Sequence, residues 1–451
     1  MTQKFHHLIN SLDQAMTQND NETIQTILAN ASAAEVARVI ESLPQKERLA
    51  LWPMVPTALY GKILLELHPE LRRPLISQTD EDELIASLSA MQMDELADID
   101  SDLPITVISA MVQAMDSQRR ERYEQVKHYP DETAGGLMDV DITAVRADVS
   151  IKAALRYLRR LRQREGTLPD HLDSLMVVDR NNILLGIVPL SQLVSNELDL
   201  SVRQVMLTEV TSFTPFTSDT VVAQVFKDKD LISAPVVDEQ HKLIGRITVD
   251  DVIDVIQEEA DKEVFSRAGL NNHPDMFAPV LQSSARRAIW LGINLLTAFL
   301  AAWVIGLFEA SIEKIVALAV LMPVVASMGG VAGSQTLTMV TRGLALNQVN
   351  SKNMLKLIGH EFSIGLLNGM LWAAIVAIIA FQWFGDWQLG LVFGSAMIIV
   401  LLAGVLAGTT IPPLLRKMGV DPALAGGVVL TTVTDVVGFF AFLGLATIVI
   451  L

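Results

Sequence analysis

The chain has 451 residues, of which 51% are hydrophobic and 19% charged, with mean hydropathy +0.38 and a net charge of −17. Residues 288–451 hold six Lys/Arg and six Asp/Glu, so the 28 basic and 45 acidic residues of 1–287 carry the whole net charge, 28 − 45 = −17; the chain is an acidic part followed by a membrane part. That acidity excludes nucleic acid as a partner, since phosphates need Lys and Arg to release counterions, and the lack of any cysteine excludes disulfides, thiolate zinc sites and Cys nucleophiles.

The opening MTQKFHHLINSLD has no apolar run of signal-peptide length, so the acidic part is expected in the cytosol. Apolar residues recur at helical spacing over 23–40, 59–67 and 84–96. Pro44, Pro53, Pro56, Pro69, Pro74 and Pro104 punctuate this region and keep its helices short. Strand signals are absent, so 1–130 is expected to be an all-α domain, a superhelical stack of short helices.

Residues 131–260 contain an internal repeat. Positions 174–188 read SLMVVDRNNILLGIV and 233–247 read SAPVVDEQHKLIGRI, with Ser, Val, Val, Asp, Leu and Gly coinciding at one offset. Each copy reads as an apolar strand, a turn after Asp179 or Asp238, a second strand closed by Gly186 or Gly245, and a helix. Matching first strands are expected at 142–145 and 210–213, each followed by an amphipathic helix; the helix of the first copy, 153–164, is longer and basic. This β-α-β-β-α pattern in tandem resembles a pair of CBS domains, over 131–200 and 201–258. Such domains use a Thr and an Asp for phosphate and ribose. The resemblance puts Thr248 and Asp251 there, as a possible ATP site, while the first copy has Pro189 and Gln192 instead.

Over 250–266, apolar residues alternate with acids at helical spacing, which reads as an acidic helix that connects, within 250–285, to the membrane. A transmembrane domain of five helices is then expected over 286–451, with spans near 288–308, 315–340, 362–384, 389–411 and 423–451, each long enough to cross ~30 Å of hydrocarbon. Arg286, Arg287, Arg342, Lys352, Lys356, Arg416 and Lys417 flank one side, and Lys314 alone flanks the other. The positive-inside rule therefore puts the N-terminus in the cytosol and the C-terminus outside.

Asp435 stands mid-span among Thr431, Thr432 and Thr434. A charge at the bilayer centre costs at least ~2.5–3.5 kcal/mol and persists only against protein or water. Carboxylate and hydroxyl oxygens suit a hard cation such as Mg²⁺ or Ca²⁺. Mg²⁺ keeps most of its water, so two copies of Asp435 across the axis of a two-fold dimer would suffice. Span two carries Pro323, Gly329, Gly330, Gly333, Gln335 and Thr336; the small residues and Pro323 permit a broken helix, and Gln335 and Thr336 point to a pore wall. A second group of acids comprises Asp94, Glu95, Asp98, Asp100 and Asp102 in the N-terminal part and Asp251, Asp254, Glu259 and Glu263 on the connecting helix. Two acidic faces repel unless a cation bridges them. The histidines show no ligand spacing, and His360 and Glu361 read as interfacial anchors. No catalytic constellation is visible, so the chain does not read as an enzyme.

The order of parts resembles the MgtE family of magnesium transporters and channels over nearly the whole chain. The marks are Tyr129…Thr133-Ala134-Gly135-Gly136-Leu137-Met138, the acidic helix, Gly329-Gly330…Gly333…Gln335, and Asp421-Pro422-Ala423-Leu424…Thr434-Asp435. The resemblance implies a homodimer in the bacterial inner membrane, with a pore lined by spans two and five. It implies that Asp435 binds hydrated Mg²⁺, that Asp94, Asp98, Asp251, Asp254, Glu259 and Glu263 form a cytosolic Mg²⁺ sensor, and that the connecting helix plugs the pore. Val331 and Gly427 stand where family members carry pore asparagines. Alternatives are transport of Mn²⁺, Co²⁺ or Ca²⁺, or a membrane-anchored CBS nucleotide sensor.

Overall fold

The structure is a computed structural model. It describes the chain except Met1, Asn19, Ala90, Asp170, 271–274, Asn347 and Ser351, and except the side chains of 2–7, Asp13, Asp94, Gln118 and Glu165. The chain divides into two compact units, one of 1–260 with 275–278 and one of 261–274 with 279–451.

The first unit begins with short helices. The longest of them is Thr2–Thr17, and the rest up to Ser117–Lys127 have 11 residues or fewer. Polar caps start several: Asp20 accepts from the Thr23 amide, Ser32 and Glu35 form a capping box, and Asp80 and Asp116 cap the helices after them. Pro44 and Pro104 stand at N-caps, where no amide hydrogen is needed. Leu28, Ile40, Ile63, Leu64 and Leu88, with no exposed surface, fill the interior between the helices.

The repeat then builds two small sheets. In the first copy, β1 (Ala144–Arg146) pairs parallel with β2 (Ser174–Val178), which pairs antiparallel with β3 (Leu184–Pro189). In the second, β4 (Ser233–Val237) pairs antiparallel with β5 (Leu243–Thr248). The expected first strand of the second copy shrinks to a parallel bridge between Phe213 and Val236. The basic helix runs Ile151–Glu165.

Gly186 and Gly245 do not close their strands; both lie inside them. A Cβ on Gly186 would stand 2.3 Å from the Leu207 carbonyl oxygen, and one on Gly245 2.3 Å from the Met138 sulfur. The segment leading into each copy crosses the other copy's last strand at these positions. Ile187 and Leu207 exchange backbone hydrogen bonds of 3.0 and 2.8 Å, and Asp139 and Arg246 exchange bonds of 2.8 and 2.9 Å. Glycine is needed for that close approach, and the crossing knits the two copies together.

The connecting helix is Val249–Arg267. The second unit contains five helices long and apolar enough to cross a membrane: Val280–Gly306, Val316–Ala345, Met354–Phe384, Trp387–Lys417 and Pro422–Val449. Span two runs unbroken through Pro323, so the break that Pro323 and the glycines permit does not occur. Its glycines serve packing instead. Gly329 lies against Val400 and Thr434, Gly333 against Leu430 and the Gly404 carbonyl, and the Gly408 position against the Gly333 carbonyl. These pairings make spans two and four parallel and spans two and five antiparallel, with Gly426 at Leu337 and Gly438 at Val325 continuing the second register. Spans three and four are antiparallel, with Gly365 at Val405 and Gly394 at Ala373. Spans two to five therefore alternate in direction, and Phe308 just past the end of span one packs on Phe440 toward the end of span five, so all seven basic flanking residues fall on one end of the bundle.

Candidate functional site

Asp435 lies at the middle of span five, ~20 Å from either end. Its carboxylate is half-buried and makes no hydrogen bond or ion pair among the described residues. Thr431 and Thr432 lie one turn away on the same side, and each donates its hydroxyl to its own helix, to Gly427 O at 2.9 Å and Val428 O at 2.7 Å. Their lone pairs remain available. Thr434 is fully buried against Gly329 and adds nothing to this face. Gly427, Thr431 and Asp435 thus form a stripe at four-residue spacing along one side of span five. Span two carries a comparable exposed stripe, Ser327, Val331, Ser334, Gln335 and Thr338. Gln335 lies on it as expected, and Thr336 does not: it is buried on another side of the helix.

The first unit holds the second acidic group. Asp98 keeps solvent access, yet the protein crowding its carboxyl, then the charges of Asp131 and Asp251, push it up to about 7 against the pull of Arg72. Burial and the Asp250 charge push Asp251 up to about 6, although Thr248 donates a 2.9 Å hydrogen bond to it. Burial, Asp250 and Glu258 raise Asp254, and burial and Asp254 raise Glu66. The structure therefore brings Asp98, Asp251 and Asp254 into one mutually repelling group. It adds Asp131, Glu66, Asp250 and Glu258, which lie up to 192 positions apart in the chain (258 − 66) and which sequence spacing could not join. Glu259 is exposed on the connecting helix. The side chain of Asp94 lies outside the described residues. Among the described residues no three acidic or histidine side chains are close enough to hold a bare metal ion.

Comparison with known proteins matches each part in turn. A family model described as the MgtE intracellular N domain matches 31–132, CBS domain models match 134–199 and 202–258, and one described as a divalent cation transporter, MgtE, matches 322–445. A magnesium transporter MgtE of Enterococcus faecalis is 30% identical over 73% of this chain and 72% of its own length. The chain belongs to the MgtE family. The magnesium transporter MgtE of Thermus thermophilus is 28% identical over 97% of both chains. A solved structure of the cytosolic domain of the Mg²⁺ channel MgtE with ATP aligns over 55% of this chain and 99% of its own, at 26% identity and TM-score 0.49.

Two features of this MgtE chain escape sequence reading. Glu361 is not an interfacial anchor. It is 3% exposed inside span three and accepts a 3.1 Å hydrogen bond from the Thr336 hydroxyl of span two. Its other oxygen lies 3.5 Å from Nδ1 of the exposed His360. A buried ionisable group inside a span was the available signal; Lys356, Gly359 and His360, interspersed before it, hid how far span three extends. Glu263 stands apart from the other sensor acids. It lies in the second unit and bridges two guanidinium groups, Arg267 at 2.5 Å and Arg342, near the end of span two, at 3.1 Å. Both of its oxygens are engaged.

Proposed function

We propose that this protein transports Mg²⁺ across the bacterial cytoplasmic membrane into the cell, as a homodimer whose two copies of Asp435 face a shared pore. The observation that carries this reading is the unpartnered Asp435 carboxylate on the stripe with Thr431 and Gly427, at the middle of a spanning helix. A structural carboxylate at that depth would hold a donor or a cation. This one is left to a mobile ion, and hydrated Mg²⁺ needs only one or two carboxylates with its water retained. The exposed stripe of span two supplies hydroxyl and amide groups for that water shell. The seven basic residues on one end support an orientation with the N-terminus in the cytosol and the C-terminus outside.

Regulation belongs to the same reading. The Asp98, Asp131, Asp251 and Asp254 group repels itself, and cytosolic Mg²⁺ between these acids would relieve the repulsion and favour the compact state, closing the pore. Glu263 is read here as a tether between the connecting helix and span two, and not as a ligand. Thr248 and Asp251 remain a nucleotide site in this proposal: Asp251 suits ribose hydroxyls. The acids around it do not fit a bare polyphosphate, so ATP would enter with its divalent counterion.

The test is metal uptake by the purified protein in liposomes loaded with a Mg²⁺ indicator. Inward Mg²⁺ flux, unchanged by a modest excess of Ca²⁺, is the expected result. Flux of Mn²⁺, Co²⁺ or Ca²⁺ without Mg²⁺ would transfer the assignment to that ion. No flux of any divalent ion, with nucleotide bound, would favour the anchored sensor.

A further inference from the structure

The segment that leads into span one is gripped by the N-terminal helices. Residues 275–278 belong to the first compact unit, although Pro279 and span one follow immediately in the chain. The grip centres on Arg48. Its guanidinium meets the Asp275 carboxylate through two parallel bonds, Nη1 to Oδ2 at 2.8 Å and Nη2 to Oδ1 at 2.7 Å. The same group donates to the carbonyls of Ile40 at 2.8 Å and Glu41 at 3.1 Å, at the end of the helix Ala33–Ser42. The Phe277 ring lies 5.9 Å from the guanidinium carbon, and the Phe277 amide donates to Asp275 at 2.9 Å, which tightens the turn. The two charged side chains are only 5% and 11% exposed. Burial raises the Asp275 carboxyl, but the Arg48 bonds, the Phe277 amide and the Arg48 charge outweigh it and hold it below the ordinary value.

A pair of this kind has a definite physical character. The planar fork of Arg matches a carboxylate at two points and fixes orientation as well as distance. Buried as it is, the pair is screened little by salt, and removing one partner leaves a buried charge unmatched. Arg48 also satisfies the last carbonyls of a helix that no glycine cap closes. Its position is therefore set by the N-terminal helices and not by the linker. One residue, Pro279, separates the gripped segment from the start of span one, so little slack exists between them.

We infer that Arg48 and Asp275 form a clamp through which the position of the N-terminal helices is passed directly to span one, by a route separate from the connecting helix. Arg48 is a positioning residue: it touches no transported ion. The inference rests on the proposed Mg²⁺-gated function. The clamp contributes metal-independent affinity for the compact state, and the acidic group supplies the metal-dependent part. Losing the clamp leaves Mg²⁺ to hold the compact state alone, so more Mg²⁺ is needed to close the pore.

The experiment uses the full chain in liposomes and compares the parent with Arg48→Gln, Asp275→Asn and the double variant. Two readouts are taken over a titration of internal Mg²⁺: flux, and hydrogen exchange of the amides at 276–278. Expected are faster exchange at 276–278 in each single variant and a Mg²⁺ midpoint for closure raised at least tenfold. The double variant should be no worse than the worse single one, because the two groups act as one. Asp275→Glu keeps the charge but lengthens the arm, and should fall between parent and Asp275→Asn. Faster exchange with an unmoved Mg²⁺ midpoint would overturn the inference and leave the pair a local staple. Additive effects in the double variant would overturn it too. If the parent itself shows flux without Mg²⁺ dependence, the gating reading fails on its own. The clamp is then judged by basal flux, which must change in both single variants for it to stand.

Discussion

Asp435 and Asp98 are the same residue under opposite physics. Asp435 stands in an apolar helix with no charged neighbour and no hydrogen-bond donor among the described residues. Asp98 stands among acids, and its carboxyl is pushed up to about 7 by crowding and by Asp131 and Asp251. On the proposed reading, the first environment makes a carboxylate selective by scarcity: an ion approaching it loses little water and meets one charge per chain. The second makes carboxylates responsive by excess, since their shared repulsion is the energy that a bound cation releases. Scarcity suits passage, where binding must be weak enough to let the ion leave. Excess suits sensing, where several weak contacts must act together.

The largest expected effect breaks the comparison at its first member. Asp435→Asn keeps shape and hydrogen-bonding capacity but removes the charge, so Mg²⁺ flux in liposomes should fall by a factor of a hundred or more. Asp98→Asn should leave maximal flux near the parent's and move only its Mg²⁺ dependence. If Asp435→Asn retains flux and merely shifts a midpoint, the two acids are not different in kind.

Proton competition sharpens the second member. For Asp98 and Asp251 the folded values, about 7 and about 6, lie above the ordinary carboxyl value of 3.8. Between those limits the folded state binds more protons than the unfolded one, so stability of the first unit without metal rises as pH falls from about 7 to about 4 and is lost as pH rises through about 7. Mg²⁺ must displace the same protons. Its midpoint for closure should therefore rise as pH falls, approaching tenfold per pH unit below about 6 for each displaced proton. Titration of closure at pH 8, 7 and 6 checks this, and Asp98→Asn should flatten the pH 8 to 7 step. An equal midpoint at all three would mean that these carboxylates do not hold the ion.

How much of this could be read in advance follows from how local each signal is. Hydropathy over twenty residues shows a span, and all five were legible, although each of the first four runs longer than its apolar core. The repeat was legible because its matching residues sit inside one strand pair. The crossing at Gly186 and Gly245 was not, because it joins segments more than a hundred residues apart in one case, Met138 to Gly245. Pro323 suggested a break, but a proline removes one hydrogen bond and neighbouring spans hold the helix together. Asp435 was legible because a lone acid in an apolar run is anomalous by itself. Glu361 was not, since Lys356, Gly359 and His360 before it in its helix are polar or glycine. Glu263 read as one more acid in a row; its two arginine partners lie four and seventy-nine positions away.

Glu361 offers a test of how span two is held. Thr336→Val removes the donor without changing shape, and Glu361→Gln keeps an acceptor. Removing one partner of a buried hydrogen bond leaves the other unsatisfied, at a cost of ~1–3 kcal/mol. Thr336→Val should reduce flux about tenfold through misplacement of the span-two stripe. Glu361→Gln should be milder, and Glu361→Leu combined with Thr336→Val should be no worse than Glu361→Leu alone. Strict additivity would show that the bond does not couple the two spans.

The smallest expected effect concerns Val331 and Gly427, which lie on the two stripes themselves. Val331 is exposed, and nothing stands within 4 Å of where a Cβ on Gly427 would be, so both positions have room for asparagine. Gly427→Asn also removes a glycine from a helix interior, which favours the helix by a few tenths of a kcal/mol. Gly427 lies two turns, ~12 Å, from Asp435 toward the basic end of the bundle. An amide there adds an acceptor and donors for the water shell of an ion already past Asp435, without adding charge. The double variant Val331→Asn/Gly427→Asn should therefore keep Mg²⁺ flux within a few-fold of the parent. Its discrimination against Ca²⁺ should improve by a similar factor, because a better-ordered water shell is harder for the larger ion to share. Competition of Mg²⁺ flux by Ca²⁺ measures this directly. A flux change as large as that of Asp435→Asn would mean that the inner end of the pore, and not the carboxylate, controls passage, and the contrast between a scarce site and a crowded one would have to be redrawn around span two.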